Sequence, residues 1–511
     1  MQALGRLQAL GRLQALGHQR RALGQPAFDY RFIRDNADRL LDSALKRNVR
    51  GARPHRVGEL YDEYRALVSA ANEHRAALNA ASKELGVLAR TGGSSRGADD
   101  DVAAGLRARA TSAKLAIQET RARLADVEAR LQREAARLPN VSHPDTPVGD
   151  ESQARVVRTS GRLHTVRTVP LDGVDTRALS DAPFRDHYDL ALRLGIVDME
   201  AGASVAGSRF HYWRGAGALL ELALVQYAMT RAAAAGFVPH ITPDAARASI
   251  VEACGFHPRP PAAADGPGEA SQIYRMAPVA PGGSATGAGA EHDGDDSDPL
   301  CLVATAEIPL VAMNQQRILA HGALPVSLAG MSHCFRAEAG ARGRDTRGIY
   351  RLHQFTKVEL VVLALPERSD AELARLVDFQ AALYADLGLT FRVLQMPTHE
   401  LGASAYQKFD VEAWMPGRGA WGEISSASNC TDYQARRLGI RVRPPGPGAA
   451  PVFVHTLNAT AVAVPRLAVA LLESFQRPDG SVVVPPALRP WMMGIDVLKQ
   501  ESLPAQTQPA T

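Results

Sequence analysis

Cys334-Phe335-Arg336-Ala337-Glu338, resumed beyond a glycine- and arginine-rich turn by Phe355-Thr356-Lys357-Val358-Glu359, is the stretch on which the reading of this chain turns. Both flanks read as strands, so the unit is strand, loop, strand. Working outward, Thr305-Ala306-Glu307 lies upstream. Glu423-Ile424-Ser425-Ser426 lies downstream, and Asn458-Ala459-Thr460 with Arg466 lies beyond it. Each of these segments is expected on a strand or a strand–loop–strand. Singly they are weak signals, since Thr-x-Glu is often a strand edge and tandem serines are often a turn. In this order they supply acids, small hydroxyls and one key arginine. Such a set suits a nucleoside triphosphate, its magnesium and a small polar amino acid. Carboxylates and hydroxyls are hard ligands for Mg²⁺, and a rigid guanidinium can grip a carboxylate and a phosphate together.

With 511 residues the chain should hold more than one domain. Composition is globular, with 46% hydrophobic and 22% charged residues, and no apolar run is long enough to span a bilayer. A formal charge of +4 is compatible with a nucleic-acid partner without requiring one. Cys254, Cys301, Cys334 and Cys430 lie far apart, with no Cys-x-x-Cys pair. That spacing argues against a disulfide framework, and no zinc is expected.

Residues 57–138 carry two long helical patterns. Leu60, Tyr64, Leu67, Ala71, His74, Leu78, Ala81, Leu85 and Leu88 follow a four–three spacing; Ile117, Leu124, Leu131 and Leu138 recur every seven, with Ala113 and Val127 on the alternate seam. The turn signal at 91–97 joins them into an antiparallel coiled-coil hairpin. At 1.5 Å per residue the arm is about 50 Å long. Residues 59–90 hold four basic and five acidic side chains, and 100–138 hold eight and six. Charge therefore leaves an oligomerisation coil and an RNA-binding arm both open.

The whole arrangement resembles the seryl-tRNA synthetases, and most closely those of animal mitochondria, over roughly residues 30–490. The resemblance implies an α+β class II catalytic domain, an antiparallel sheet with flanking helices, preceded by a coiled-coil arm. Its domains would be an arm at 29–140, a linker at 141–184, a catalytic domain at 185–490 with an insert about 258–298, and a loose tail at 491–511. The reaction implied is serine–tRNA ligation, with ATP as substrate, Mg²⁺ as cofactor and tRNA(Ser) as partner of the arm, in a homodimer. Arg336 would grip the α-phosphate and the serine carboxylate, with Ala337 beside it. Glu338 would face the adenine amino group, Leu352 would touch the nucleotide, and Phe355 would stack on the base. The loop Gly343-Arg344-Asp345-Thr346-Arg347-Gly348 would contact ATP and the acceptor end. Thr305, Ala306 and Glu307 would bind the serine amino group, and Glu359 and Thr460 its hydroxyl. Glu423, Ile424, Ser425 and Ser426 would line the ATP site, with Glu423 and Ser426 on the metal and Arg466 on the γ-phosphate. The helix from Leu219 to Ala235, followed by a strand to Pro243, resembles the dimer-forming motif of class II enzymes. Ser271-Gln272-Ile273-Tyr274 is expected as a strand before the site.

Two features depart from the common pattern. Ala459, Ala461 and Pro465 stand where most members carry glycines. The N-terminus repeats Gln-Ala-Leu-Gly at 2–5, 8–11 and 14–17, with arginines and no acid before Asp29. Residues 1–28 read as a mitochondrial transit peptide, which places the enzyme in the matrix; a low-complexity extension gives the same composition. A rival reading is a synthetase-like RNA-binding or regulatory protein that has lost catalysis. Retention of every polar site residue separates the two.

Overall fold

A computed structural model describes residues 27–91, 98–161, 184–256, 273–276, 298–338 and 348–500. The expected targeting stretch up to 26, most of the 258–298 insert, the 343–347 part of the loop and residues 501–511 lie outside these. The chain divides into two units, one of residues 27–142 and one running from 143 onward.

The first unit is helical: α1 (Tyr30–Asp35), α2 (Ala37–Lys46), α3 (Pro54–Thr91) and α4 (Ala98–Ala136). Leu60, Leu67, Ala71 and Ala81 on α3 are buried, as are Ala113, Ile117, Val127 and Leu131 on α4. This is the heptad seam of an antiparallel pair, and apolar burial along it holds the two helices together. At the base, Arg53 pairs with Glu134 at 2.8 Å. Arg47, only 3% exposed, donates to the Asn140 carbonyl at 2.7 Å.

The second unit is built on an eight-stranded sheet. Its strands are β1 (Arg155–Ser160), β2 (Val238–Ile241), β3 (Val326–Phe335), β4 (Gln354–Ala364), β5 (Phe391–Gln395), β6 (Gln407–Met415), β7 (Ala420–Asn429) and β8 (His455–Ala463). They lie in the order β1-β5-β6-β7-β8-β4-β3-β2. All neighbours are antiparallel except β2 and β3. The central strand β4 is apolar on both faces. Val358, Leu360 and Val362 enter the larger core with helices α5 (Ala216–Ala234), α7 (Ser369–Asp386) and α9 (Val464–Ser474). Val361 and Leu363 enter a second core with α6 (Glu307–Ala312) and α8 (Tyr433–Leu438). Alternation on β4 therefore turns Phe355, Lys357 and Glu359 to the second face, the one that carries the site.

Four expectations change. The stretch read as linker supplies the sheet's outermost strand, because Arg155–Ser160 pairs with β5. The tail starts later than 491: Met492 and Leu498 are buried, and 497–498 pairs with 482–483. Glu307 opens a helix instead of lying on a strand. Ile273 and Tyr274 form no strand; the chain there touches 300–302 through single hydrogen bonds, Met276 to Leu300 at 2.8 Å and Leu302 to Tyr274 at 2.9 Å.

Candidate active site

Arg336 follows directly on the end of β3. Its amide donates to the His353 carbonyl and its carbonyl meets His353 Nδ1, both at 2.9 Å, so the backbone is fixed on both sides. Cys334 lies opposite Phe355 in the β3–β4 ladder, so Arg336 shares that face. Its guanidinium sits 5.3 Å from the Phe355 ring centroid. Glu338 takes a left-handed φ of 46°, uncommon for a residue with a side chain. That turn brings its carboxylate 3.1 Å from Arg351. Arg336, Glu338, Leu352, Phe355, Pro465 and Arg466 line one cleft.

Deeper lies an almost dry polar cluster. Thr460 stands directly opposite Glu359 in the β8–β4 ladder and donates to it at 3.0 Å. Lys357, two residues along the same face of β4, reaches Glu359 at 2.6 Å. Exposures of 2% for Glu359, 5% for Lys357 and 5% for Thr460 leave each dependent on the others. Thr305 Oγ1 accepts from the Glu307 amide at 3.2 Å, at the start of α6. Gln434 on α8 holds a Glu307 oxygen at 2.6 Å and is itself fixed by Thr456 at 2.7 Å. Ala306 is fully buried between them. Burial, reinforced by the nearby Glu359 charge, pushes the Glu307 carboxyl up to about 7. Such a carboxylate is energetically short of a cation, and an incoming ammonium would supply one.

On β7 the spacing of the predicted ligands poses a geometric problem. Glu423 and Ser426 are three apart, which a period of two sends to opposite faces. The ladder resolves it. Val411 pairs with Ser425, but the next residue, Glu412, pairs with Glu423. Ile424 is thus an extra residue, a β-bulge. Ile424 and Ser425 both turn inward, 1% and 2% exposed, while Glu423 and Ser426 share the site face. The Ile424 and Ser425 side chains therefore belong to the core, where Ser425 lies beside the Tyr384 hydroxyl. A second bulge at Ala461 separates Thr460 from Val462 on β8. Buried Gln380 donates to the carbonyls of both Ser426 and Thr460, at 2.9 and 2.8 Å, and Tyr384 donates to the Ala461 carbonyl at 2.9 Å. Two polar residues of α7 thus satisfy carbonyls that the irregular strands leave unpaired.

The Glu423 side chain keeps 40% of its surface exposed, and Arg466, Lys408 and Arg336 together outweigh what burial it has and pull its carboxyl down to about 2. Arg466 Nη1 lies 2.9 Å from it. Arg336 also lowers Glu307, so it is electrostatically linked to both ends of the site. Among the described residues, Arg336, Glu338, Leu352, Phe355 and Arg466 line one cleft, and Glu307, Glu359, Thr460 and Glu423 are joined to it through hydrogen bonds or the Arg336 charge. Sequence reasoning missed Gln434, Gln380 and the Lys408–Asp410 pair at 2.8 Å beside Glu423. It quoted Lys357 without a role. The alternation of β4 could have shown that Lys357 shares a face with Glu359.

Known proteins match the chain in both units. The seryl-tRNA synthetase N-terminal domain family matches residues 28–142. The class II core domain family of tRNA synthetases for G, H, P, S and T matches 291–475. The serine–tRNA ligase of Rubrobacter xylanophilus is 39% identical over 91% of this chain and 97% of its own length. The mitochondrial serine–tRNA ligase of Mus musculus is 41% identical over 76% of this chain and 67% of its own. The crystal structure of Pyrococcus horikoshii seryl-tRNA synthetase complexed with ATP superposes with a TM-score of 0.77 at 31% identity, covering 93% of this chain and all of that one.

Proposed function

The chain belongs to the seryl-tRNA synthetases of class II, and we propose that the cleft joining Arg336, Glu359, Glu423 and Arg466 is where its two reactions occur. It is a serine–tRNA ligase: serine is activated with ATP to seryl-adenylate, then transferred to the 3′ end of tRNA(Ser). In the first step the serine carboxylate attacks the α-phosphorus and pyrophosphate leaves. In the second a ribose hydroxyl of the tRNA attacks the activated carbonyl and AMP leaves. No enzyme nucleophile is needed, so catalysis consists of positioning and charge neutralisation.

Arg336 bridges the serine carboxylate and the α-phosphate, which its electrostatic reach to both Glu307 and Glu423 supports. Thr305, Ala306 and Glu307 receive the α-ammonium. Glu359, held by Lys357, and Thr460 receive the serine hydroxyl. Alanine would leave those buried groups unpaired. Phe355 stacks on adenine, with Glu338, Ala337 and Leu352 around it and Arg466 on the terminal phosphate. Glu423 and Ser426 fit Mg²⁺: both are hard donors on one face, and Glu423 is held ionised. When bound, the ion would neutralise phosphate charge. Ile424 and Ser425 contribute to the ATP site through their backbone.

The arm of α3 and α4 binds tRNA(Ser), which its match to the family's N-terminal domain supports. The enzyme acts as a homodimer through β2. That strand is an outer strand of the sheet, and its Ile241 is 84% exposed. It works in the mitochondrial matrix, a reading supported by the acid-free, arginine-bearing N-terminus and the likeness to mouse mitochondrial enzyme. Bacterial relatives are as similar. No helix among the described residues is long and apolar enough to cross a membrane.

The convergence on Arg336 carries the assignment. Serine-dependent exchange of pyrophosphate into ATP tests it: exchange lost in R336A and present in the wild type is expected, and none in either would favour the catalytically inactive alternative. Deleting residues 60–138 should spare exchange and abolish charging. Surviving charging would remove the arm from tRNA recognition.

A further inference from the structure

Two guanidiniums lie over one tyrosine ring beside the cleft. Arg418 Cζ is 4.9 Å and Arg466 Cζ 5.0 Å from the centroid of Tyr350. The tyrosine is 7% exposed, and its hydroxyl donates to the backbone carbonyl of Glu423 at 2.8 Å. Glu423 is also the residue whose carboxylate holds Arg466. Tyr350 therefore touches Arg466 with its face and braces the anchor of Arg466 with its hydroxyl.

Arg418 is delivered to this ring by a turn with little freedom. The turn joins β6 to β7. A Cβ at Gly417 would fall 2.0 Å from the Arg185 carbonyl oxygen, and Gly419 has a φ of 65°. The Arg418 amide donates at 2.9 Å to Glu473, a carboxylate with no exposed surface. Glu473 also accepts from the His187 amide at 3.0 Å. The ring's own place needs Gly422, where a Cβ would come 3.3 Å from the Tyr350 hydroxyl and 2.7 Å from Met415 Cε.

The backbone under Arg466 offers less. Helix α9 begins without a side-chain cap, and Pro465 in its first turn has no N–H to give. Glu423 alone is a poor fixed anchor, because a metal and a phosphate would compete for the same charges. An aromatic face attracts a guanidinium without occupying its N–H donors. It can hold the side chain whichever anion those donors meet.

We propose that Tyr350 and Arg418 are positioning residues for Arg466, with the Tyr350 ring as a shared cation platform that keeps the Arg466 guanidinium aimed at the ATP phosphates. The proposal rests on the reading of Arg466 as the terminal-phosphate arginine. It goes beyond that reading by assigning work to two residues that touch neither serine nor the reacting phosphorus.

The test uses the full-length enzyme. KM values for ATP and for serine come from pyrophosphate exchange, ATP affinity from calorimetry, and folding from thermal melts. Y350L and R418A should each raise the KM for ATP about tenfold, the size of a partly desolvated cation–π contact, and leave the KM for serine in place. Y350F keeps the ring and should recover most of the loss. In an R466A background neither Y350L nor R418A should weaken ATP binding further. The proposal is overturned if the two KM values move together, if the ATP KM stays put, or if the losses add fully to that of R466A. If R466A itself leaves ATP binding intact, the reading of Arg466 fails instead. Should Y350L not fold, R418A on its half-buried turn decides alone.

Discussion

The serine end and the phosphate end of the cleft are built on different terms. At the serine end Glu307, Lys357, Glu359 and Thr460 are between 2% and 6% exposed, and they are tied to each other or to Gln434. At the phosphate end the side chains of Glu423 and Arg466 are 40% and 20% exposed, and their main partner is each other. A dry, pre-paired pocket discriminates, because a ligand lacking one group strands a buried polar atom. A wetter, charge-balanced region neutralises, and it tolerates exchange of one anion for another. The difference matches what each end must do: tell serine from alanine in one place, and handle a mobile triphosphate in the other.

The sharpest way to break this contrast is E359A. It leaves Lys357 and Thr460 unpaired, and kcat/KM for serine should fall at least about 100-fold in pyrophosphate exchange. ATP affinity by calorimetry should hold; equal loss of both would erase the division. E423Q should do the reverse, raising the KM for ATP about 30-fold, on the scale of a lost charge-assisted contact, with serine KM little changed. T460V removes one hydrogen bond from Glu359 and should cost serine kcat/KM about tenfold, which a titration of serine at saturating ATP would read.

The gentlest test is pH. Glu307 must be ionised to hold an ammonium, and its carboxyl sits at about 7. Below that value the ionised fraction falls, so kcat/KM for serine should drop up to about tenfold per unit. Above it the profile should flatten. The KM for ATP should stay level over the same window, because Glu423, at about 2, remains ionised throughout. A serine profile flat from pH 5 to 8 would contradict the buried state of Glu307.

Much of this was readable along the chain. The heptads of α3 and α4 lie in single helices, and local spacing is all they need. Arg336, Phe355 and Glu359 sit on one strand–loop–strand unit, where alternation sets the facing. What local pattern cannot carry is register. That Thr460 stands opposite Glu359, and that Ile424 drops out of the ladder, depends on pairings between strands remote in sequence. Arg155–Ser160 read as linker because an edge strand needs few apolar residues; its side chains are mostly exposed. Thr305-Ala306-Glu307 read as strand, yet the threonine hydroxyl takes the Glu307 amide and starts a helix. Gln380 and Gln434 escaped notice because a glutamine in a helix signals nothing until its amide is seen bridging buried oxygens.

The surplus residue at Ile424 ties the facing of two side chains to a fault in the ladder. Were every residue kept and the ladder made regular, Glu423 and Ser426, three apart, would point to opposite sides of the sheet. Removing Ile424 itself would leave them two apart and on the same side, so the strand can present both groups with the fault, or without that residue, but not with the residue in a regular ladder. What matters at this position is the count and not the side chain: Ile424→Val or Leu should pass almost unnoticed, whereas one further residue inserted between Glu423 and Ser426 should turn them apart unless the bulge widens to absorb it.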